Sequence, residues 1–292
     1  MNIPAHIYPF QPKSLKIDGV SLSYVDEGTG PPVLMVHGNP SWSIYYRSLV
    51  KRLSASHRCI VPDHIGCGFS DKPGMDTYPY TLERRISDLS RLVEHLDLQQ
   101  PLTLVVHDWG GMIGMSWAVE NPEKVARIVV LNTGAFPLPS TKKLPATLSL
   151  VRNTWLGSLL VKHGNAFSRG ATTMAIKKRP MSKELKAAYM APYDSPANRI
   201  ATLRFVQDIP LQEGDPGYDI VTATAERLSR FSETPVLICW GDLDFVFDHH
   251  FLAVWEQTWP HADVHRFADC GHYVLEDAED EIGALVENFL RP

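Results

Sequence analysis

The chain has 292 residues, of which 44% are hydrophobic and 21% are charged, the composition of an ordinary globular protein. Its 28 Lys and Arg against 33 Asp and Glu give a net charge of −5, which argues against a nucleic acid as partner. The four cysteines form no CxxC pair, and no signal peptide or apolar run of roughly 20 residues is present, so we expect a cytoplasmic protein without disulfides or a membrane span.

Apolar runs and helix-length segments alternate along most of the chain. Residues 14–28 alternate apolar and polar side chains around Asp18-Gly19, which predicts an antiparallel hairpin at a sheet edge. Residues 81–96 carry their apolar side chains on one helical face. Buried strands are predicted at 32–38, 58–64, 102–108, 126–132, 235–241 and 262–268. This alternation predicts an α/β fold with a mostly parallel, doubly wound sheet.

About a hundred residues separate the strand at 126–132 from the strand at 235–241. A structureless loop of that length is implausible, and the segment contains helix-compatible runs such as 182–190 together with many prolines and aromatic residues. We therefore expect a helical cap at 134–229, inserted into a core formed by 1–133 and 230–292. Such a cap would cover the carboxyl ends of the strands, where open α/β sheets bind ligands.

The segment VHDWGG has the form of a nucleophile elbow, a sharp turn between a buried strand and a helix. Asp108 occupies the nucleophile position, while Gly110 and Gly111 allow close backbone approach. Val106 stands where the motif has its first glycine. The alternative interpretation is that Asp108 merely caps the following helix.

Two later motifs supply an acid and a base in the chain order of α/β hydrolases. Asp242 and Asp244 follow a buried strand in CWGDLD, and His272 follows the last strand in DCGHY. A fourth motif, HGNPSWS at 37–43, predicts a loop facing the elbow, in which we assign His37 a structural role and Asn39 an oriented amide beside the reacting carbon.

Together, HGNPSWS, DHIGCGFSDKP, HDWGG and DCGHY closely resemble the haloalkane dehalogenase family of α/β hydrolases. The resemblance implies an Asp108 nucleophile, a His272 base, and a halide leaving group held by the side-chain N–H groups of Asn39 and Trp109. It also implies a small apolar substrate, water and halide as ligands, with no metal and no cofactor. An aspartate suits this reaction because the ester that it forms with carbon can be cleaved again by water activated by His272.

In that family the acid follows the sixth or the seventh strand. Here the sixth strand ends with Asn132 and has no carboxylate nearby, so the acid is predicted to be Asp244, with Asp242 and Asp248 as runners-up. The acid would fix the tautomer of His272 and stabilise its imidazolium form.

Other functions stay open on the sequence. The combination of Asn39, Trp109 and Asp244 resembles the third dehalogenase subfamily, but the cap also resembles that of the β-lactone decarboxylases of bacterial olefin biosynthesis, which could use the same triad. An epoxide hydrolase would need cap tyrosines such as Tyr189 and Tyr193 as acids. A non-catalytic hydrolase-fold protein and a cofactor-free oxygenase are further alternatives, and a homo-oligomer is conceivable.

Overall fold

A computed structural model of the chain describes residues 1 and 3–291. Its centre is an eight-stranded sheet in the order β1-β2-β4-β3-β5-β6-β7-β8. The strands are β1 Lys13–Ile17, β2 Val20–Glu27, β3 Pro32–Val36, β4 Arg58–Pro62, β5 Leu102–Asp108, β6 Val125–Thr133, β7 Val236–Gly241 and β8 Asp263–Phe267. The α/β fold predicted from the sequence is confirmed, and each predicted strand is present within a few residues of its expected limits.

The first two strands form the only antiparallel part of the described sheet. β1 pairs with β2, and β2 pairs with β4, while every other neighbouring pair is parallel. Asp18 and Gly19 both have positive φ, 49° and 85°. Positive φ at both central residues is the requirement of a two-residue type I′ hairpin turn, which explains the expected hairpin.

Helices cover both faces of the sheet. They are α1 Arg47–Leu53, α2 Leu82–Leu96, α3 Trp109–Glu120, α4 Ala146–Asn153, α5 Trp155–Gly164, α6 Ala166–Met174, α7 Lys183–Met190, α8 Ile200–Gln207, α9 Tyr218–Arg227, α10 His249–Thr258, α11 Val274–Asp277 and α12 Glu279–Phe289. The Thr81 hydroxyl accepts the Arg84 N–H and caps α2, the helix predicted from its apolar face. No described helix combines the length and hydropathy needed to cross a bilayer.

The core lies around β3, β5 and β7, in which every residue is buried. Strands buried on both faces consist of apolar runs without alternation, as these do. α3 is buried along its length except for Glu120, because it packs between the central strands and the helices α2 and α9. The carboxyl ends of β3, β5, β6 and β7 therefore meet beneath the insertion.

The insertion between β6 and β7 contains six helices, α4 to α9. The last of them packs on the core, since the Thr224 hydroxyl of α9 lies 2.8 Å from the Ser116 hydroxyl of α3. We propose that the cap comprises α4 to α8 and that α9 serves as the crossover helix of the core, so that the cap ends before the expected limit at residue 229.

Candidate active site

Asp108 stands at the turn between β5 and α3 with φ 52° and ψ −126°. This left-handed backbone conformation is unfavourable for a side chain other than glycine, and such strain is concentrated at functional positions. The Asp108 carboxylate makes no capping hydrogen bond to α3. The interpretation of Asp108 as a helix cap is therefore wrong, and the turn presents its carboxylate to the carboxyl edge of the sheet.

Two glycines make room for the Asp108 turn. A Cβ added to Gly38 would lie 2.0 Å from Asp108 Oδ1, and a Cβ added to Gly110 would lie 1.9 Å from the Val36 carbonyl oxygen. Neither distance is sterically possible for a real side chain. The loop after β3, the elbow and the start of α3 are therefore packed against one another at the level of the backbone.

His272 lies between two carboxylates. Its Nδ1 is 2.7 Å from Asp244 Oδ2, and its Nε2 is 3.4 Å from Asp108 Oδ2. All three residues are at least 94% buried. The three residues that the sequence analysis predicted as nucleophile, base and acid thus form one continuous cluster.

Asn132 holds Asp244 in place. Its Nδ2 donates to Asp244 Oδ2 at 3.1 Å and to the Gly241 carbonyl at 3.1 Å, and its Oδ1 accepts the Gly241 N–H at 2.7 Å. Asp244 Oδ1 accepts the Val246 N–H at 2.7 Å. The end of the sixth strand, which lacks a carboxylate, therefore carries an amide that orients the carboxylate following the seventh strand.

Neither runner-up for the acid reaches His272. Asp242 accepts a hydrogen bond from Arg266 Nε at 3.0 Å near the surface. Asp248 caps α10 through the His250 N–H and forms an ion pair with Lys142 at 2.6 Å.

The charges of the cluster stabilise one another. Burial by itself would raise the pKa of Asp108, but the hydrogen bond and charge of His272 outweigh burial and hold this pKa below its ordinary value. Burial would likewise lower the pKa of His272, yet the charge of Asp244 and the contact with Asp108 raise it to about 10. At neutral pH the free site therefore holds an imidazolium between two carboxylates.

Asn39 contacts Asp108 through its backbone rather than its side chain. The Asn39 N–H donates to Asp108 Oδ1 at 2.6 Å, whereas its Nδ2 donates to the Thr202 carbonyl of α8 at 3.1 Å. The buried Asn39 Oδ1 has no hydrogen-bond partner among the described residues. One Nδ2 proton of Asn39 stays free for a ligand. Trp109 lines the same cavity and packs edge-on against Phe205, with 5.2 Å between the ring centroids.

Two residues that support the site, His107 and Thr202, were not predicted from the sequence. His107 Nε2 lies 2.8 Å from the His272 carbonyl oxygen, so it anchors the loop that carries His272. A histidine inside an otherwise apolar strand was the available signal. Thr202, which anchors the Asn39 amide, contributes only its backbone carbonyl, and no sequence pattern could have identified it.

The segment DHIGCGFSDKP contributes no side chain to the cavity. Its Asp63 is fully buried and accepts the N–H groups of Ser43 and Phe69 at 2.7 and 2.8 Å, which fixes the neighbouring loop. His37 is also structural: its Nδ1 lies 2.7 Å from the Gly38 carbonyl oxygen, and its Nε2 accepts the His64 N–H at 3.1 Å.

An apolar cavity of about 300 Å³ connects the cluster with the cap helices α4, α5, α6 and α8. Asn39, Asp108 and His272 lie at its inner end, and Lys142 and Thr147 are the other polar side chains in its wall. Tyr189 and Tyr193 are not part of the wall; Tyr189 donates to Glu276 at 2.5 Å and Tyr193 to the Ser41 carbonyl at 3.4 Å. The tyrosine acids that an epoxide hydrolase would need are therefore engaged elsewhere.

Comparisons with known proteins agree with this architecture. Residues 31–279 match a family described as alpha/beta hydrolase fold. The chain is 56% identical to a cis-3-alkyl-4-alkyloxetan-2-one decarboxylase of Shewanella oneidensis over 97% of this chain and 89% of that protein. It is 45% identical to a protein of the same name from Xanthomonas campestris, over 97% of each chain. The crystal structure of haloalkane dehalogenase DbeA from Bradyrhizobium elkani superposes with a TM-score of 0.86 at 26% identity, covering 96% of this chain and 97% of that one.

Proposed function

We propose, from the premise that this chain belongs to the α/β-hydrolase-fold family, that it is a β-lactone decarboxylase acting on cis-3-alkyl-4-alkyloxetan-2-ones. The observation that carries the proposal is a buried carboxylate at the inner end of an almost wholly apolar cavity, in a chain with two relatives named for this reaction. An apolar cavity suits the two alkyl substituents of the lactone, and the few polar groups face the ring.

In the first step, an Asp108 oxygen attacks C4 of the lactone ring. The C4–O bond breaks, its electron pair stays on the departing oxygen, and the freed group is a carboxylate on C3. The free Asn39 Nδ2 proton and the Trp109 indole N–H are the donors available to that anion. The product of this step is an alkyl ester of Asp108.

In the second step, the bond between C3 and the carboxylate breaks and carbon dioxide leaves. The electron pair forms the C3=C4 double bond, and the C4–O bond to Asp108 breaks, which returns a carboxylate to the enzyme. Neither water nor a proton is consumed. Inversion at C4 followed by anti elimination converts a cis lactone into a cis alkene.

The charges around Asp108 favour the second step. Negative charge moves from the substrate carboxylate to Asp108, where the Asn39 N–H lies 2.6 Å from Oδ1 and His272 Nε2 lies 3.4 Å from Oδ2. The substrate carboxylate, in contrast, has only the Asn39 and Trp109 donors in an otherwise apolar cavity, which solvates it less well than water. In this reaction His272 acts as a cation that stabilises the departing Asp108, and Asp244 maintains its protonation.

Haloalkane dehalogenation is the second candidate, which the sequence analysis put first. The observation in its favour is the 3.4 Å approach of His272 to Asp108, which also suits a base that activates water against the Asp108 ester. We give the lactone priority because the chain is 56% identical to a decarboxylase and 26% identical to the dehalogenase structure.

A paired assay separates the two candidates. Alkene formed from a cis-3,4-dialkyl β-lactone is measured by gas chromatography, and bromide released from a dibromoalkane is measured beside it. We expect the wild type to form alkene with at most traces of bromide release, and Asp108→Ala to be inactive on both compounds. Bromide release without alkene would assign the protein as a dehalogenase, and loss of neither activity in Asp108→Ala would overturn the proposed nucleophile.

Oxygen labelling tests the mechanism itself. In H₂¹⁸O, hydrolysis of an Asp108 ester inserts ¹⁸O into the aspartate, whereas elimination breaks the C4–O bond and leaves both aspartate oxygens in place. After many lactone turnovers, mass spectrometry of the peptide that contains Asp108 should therefore show no ¹⁸O. Incorporation that rises with turnover would contradict the elimination step.

A further inference from the structure

The cap exposes an apolar surface patch. Of the nine large hydrophobic side chains that are exposed in the described chain, six belong to the three consecutive helices α4, α5 and α6. We call these six residues the cap patch: Leu150, Trp155, Leu156, Leu159, Leu160 and Met174. Trp155 alone is 78% exposed, which is unusual for the largest apolar side chain. Contiguous apolar surface of this kind marks an interaction site.

The helical repeat brings the α5 members of the cap patch onto one face. Trp155 and Leu159 are four residues apart, as are Leu156 and Leu160, so they line one side of the helix. Lys162 follows Trp155 by seven residues and continues the same line at the C-terminal end. The outer face of α5 is therefore apolar along most of its length and basic at its end.

The segment around the cap patch is strongly basic. Residues 142–186 hold ten of the 28 Lys and Arg of the chain but only one of its 33 Asp and Glu. Lys143, Arg169, Lys177 and Arg179 are exposed and form no salt bridge with another described residue. This segment is positive in a protein whose net charge is −5.

The cavity opens into the same surface. Leu150, Leu160 and Met174 line the cavity and are also 39%, 41% and 44% exposed, so they form its outer end. Asn39, Asp108 and His272 form the inner end. An apolar ligand entering between α4, α5 and α6 would thus pass through the cap patch.

We propose that the cap patch docks on an anionic lipid surface, with Trp155 and the leucines of α5 inserted at the level of the head groups and the basic residues of 142–186 against the lipid charges. An apolar helical face flanked by Lys and Arg is the pattern of interfacial membrane binding. The cavity mouth then faces the acyl region, from which a dialkyl substrate enters without crossing water.

Two other occupants of the cap patch fit the structure less well. A second copy of the chain would bring two basic segments together, and like charges oppose that contact. An acidic protein would satisfy the charge, but it gives no reason for the cavity to open within the contact surface. An anionic lipid surface accounts for the exposed apolar side chains, the charge and the position of the mouth together.

Flotation of the full chain with vesicles tests the proposal in the absence of substrate. We expect the protein to float with vesicles of 30% phosphatidylglycerol in phosphatidylcholine at low salt, and about tenfold less with pure phosphatidylcholine. Trp155→Ser and the double variant Lys143→Glu/Arg169→Glu should each lower the partition coefficient about tenfold. Circular dichroism checks that each variant is folded.

The matched controls change exposed residues elsewhere. Met75→Ser removes another apolar side chain, which is 59% exposed. Lys16→Glu/Lys124→Glu makes the same charge change on the surface away from the cap. Both should bind vesicles like the wild type. Absence of wild-type flotation, equal binding to pure phosphatidylcholine, or equal losses in the control variants would overturn the proposal.

Further measurements on the wild type and its variants test the two other occupants of the cap patch. Light scattering that shows a dimer, dissociated by Trp155→Ser, would assign the cap patch to a second copy. Binding to polyglutamate but not to vesicles would assign it to an acidic protein. Either result overturns lipid docking. The reason given for docking, delivery of a dialkyl substrate, rests on the proposed function, but flotation needs no turnover, so each proposal can fail alone.

Discussion

Asp244 acts on the reaction only through the protonation of His272, so its proposed role can be separated from its packing. The carboxylate is buried, accepts hydrogen bonds from Asn132 and Val246, and lies 2.7 Å from His272 Nδ1. An asparagine fits the same volume but carries no charge. The charge of Asp244 is a main reason why the pKa of His272 is raised, so its removal should leave His272 neutral at pH 7.

We predict that Asp244→Asn lowers kcat by about 10² to 10⁴, the range seen when a carboxylate that supports an imidazolium is neutralised. Its circular dichroism should stay that of the wild type. Asp242→Asn is the matched control, because it changes the same functional group two residues away and removes only the contact with Arg266. A loss of activity in the Asp242 variant but not in the Asp244 variant would reverse the assignment of the acid.

The sequence predicted the residues of the cluster better than their surroundings. Asp108, His272 and Asp244 could be found because each follows a strand, and the carboxyl ends of parallel strands meet at one edge. The partner of Asn39 Nδ2 could not be found, because the Thr202 carbonyl reaches the site through the fold of the cap and carries no side-chain signature.

At the scale of elements, the elbow depends on backbone contact between β3, β5 and α3. Gly38 leaves the space that Asp108 Oδ1 occupies. The N–H of the next residue, Asn39, donates to the same oxygen, although Asn39 and Asp108 are 69 residues apart in the sequence. Position 38 therefore requires a glycine because the Asp108 side chain lies against it, and not because of its own backbone angles.

We predict that Gly38→Ala lowers kcat/KM by at least about 100-fold and costs about 1–3 kcal/mol of stability, because its Cβ displaces the Asp108 carboxylate. Gly164→Ala is the control, since a Cβ there meets nothing within 4 Å in the last residue of α5. It should keep full activity and gain up to about 1 kcal/mol from helix propensity. Denaturant melts and initial rates measure both, and an active Gly38 variant would contradict the tight packing.

The boundaries of the cap could not be predicted from hydrophobic periodicity. The sequence predicted an insertion of about a hundred residues, and α7 coincides with the helix-compatible run at 182–190. It gave no indication that α9 returns to the core, because this depends on a contact between Thr224 and Ser116, 108 residues away. Long-range packing of amphipathic helices has no local signal.

At the scale of the whole molecule, buried titratable groups shape stability against pH. Burial lowers the pKa of His37 and His64, and it lowers the pKa of His107 to about 3. Because these rings are neutral when folded but take up protons near pH 6.5 when unfolded, their contribution is complete above about pH 6.5 and is lost as the pH falls. Acid should therefore destabilise the fold well before the carboxylates are neutralised.

His272 acts in the opposite direction. Its pKa is about 10 in the folded chain and about 6.5 when unfolded, so its contribution is complete below about pH 6.5 and is lost as the pH rises through about 10. Burial also raises the pKa of the four cysteines, but unfolded thiols ionise only near pH 8.5. Between pH 7 and 8 the change of the free energy of unfolding with pH therefore reports mainly the titration of His272.

We predict that the free energy of unfolding falls by about 1 kcal/mol from pH 7 to pH 8, since one extra proton bound by the folded chain gives about 1.4 kcal/mol per pH unit. Urea denaturation at closely spaced pH values measures this slope. In His272→Gln the slope over the same interval should vanish, whatever the absolute stability of the variant. A wild type with no slope between pH 7 and 8 would mean that the imidazole is neutral, and the cationic role proposed for His272 would fall with it.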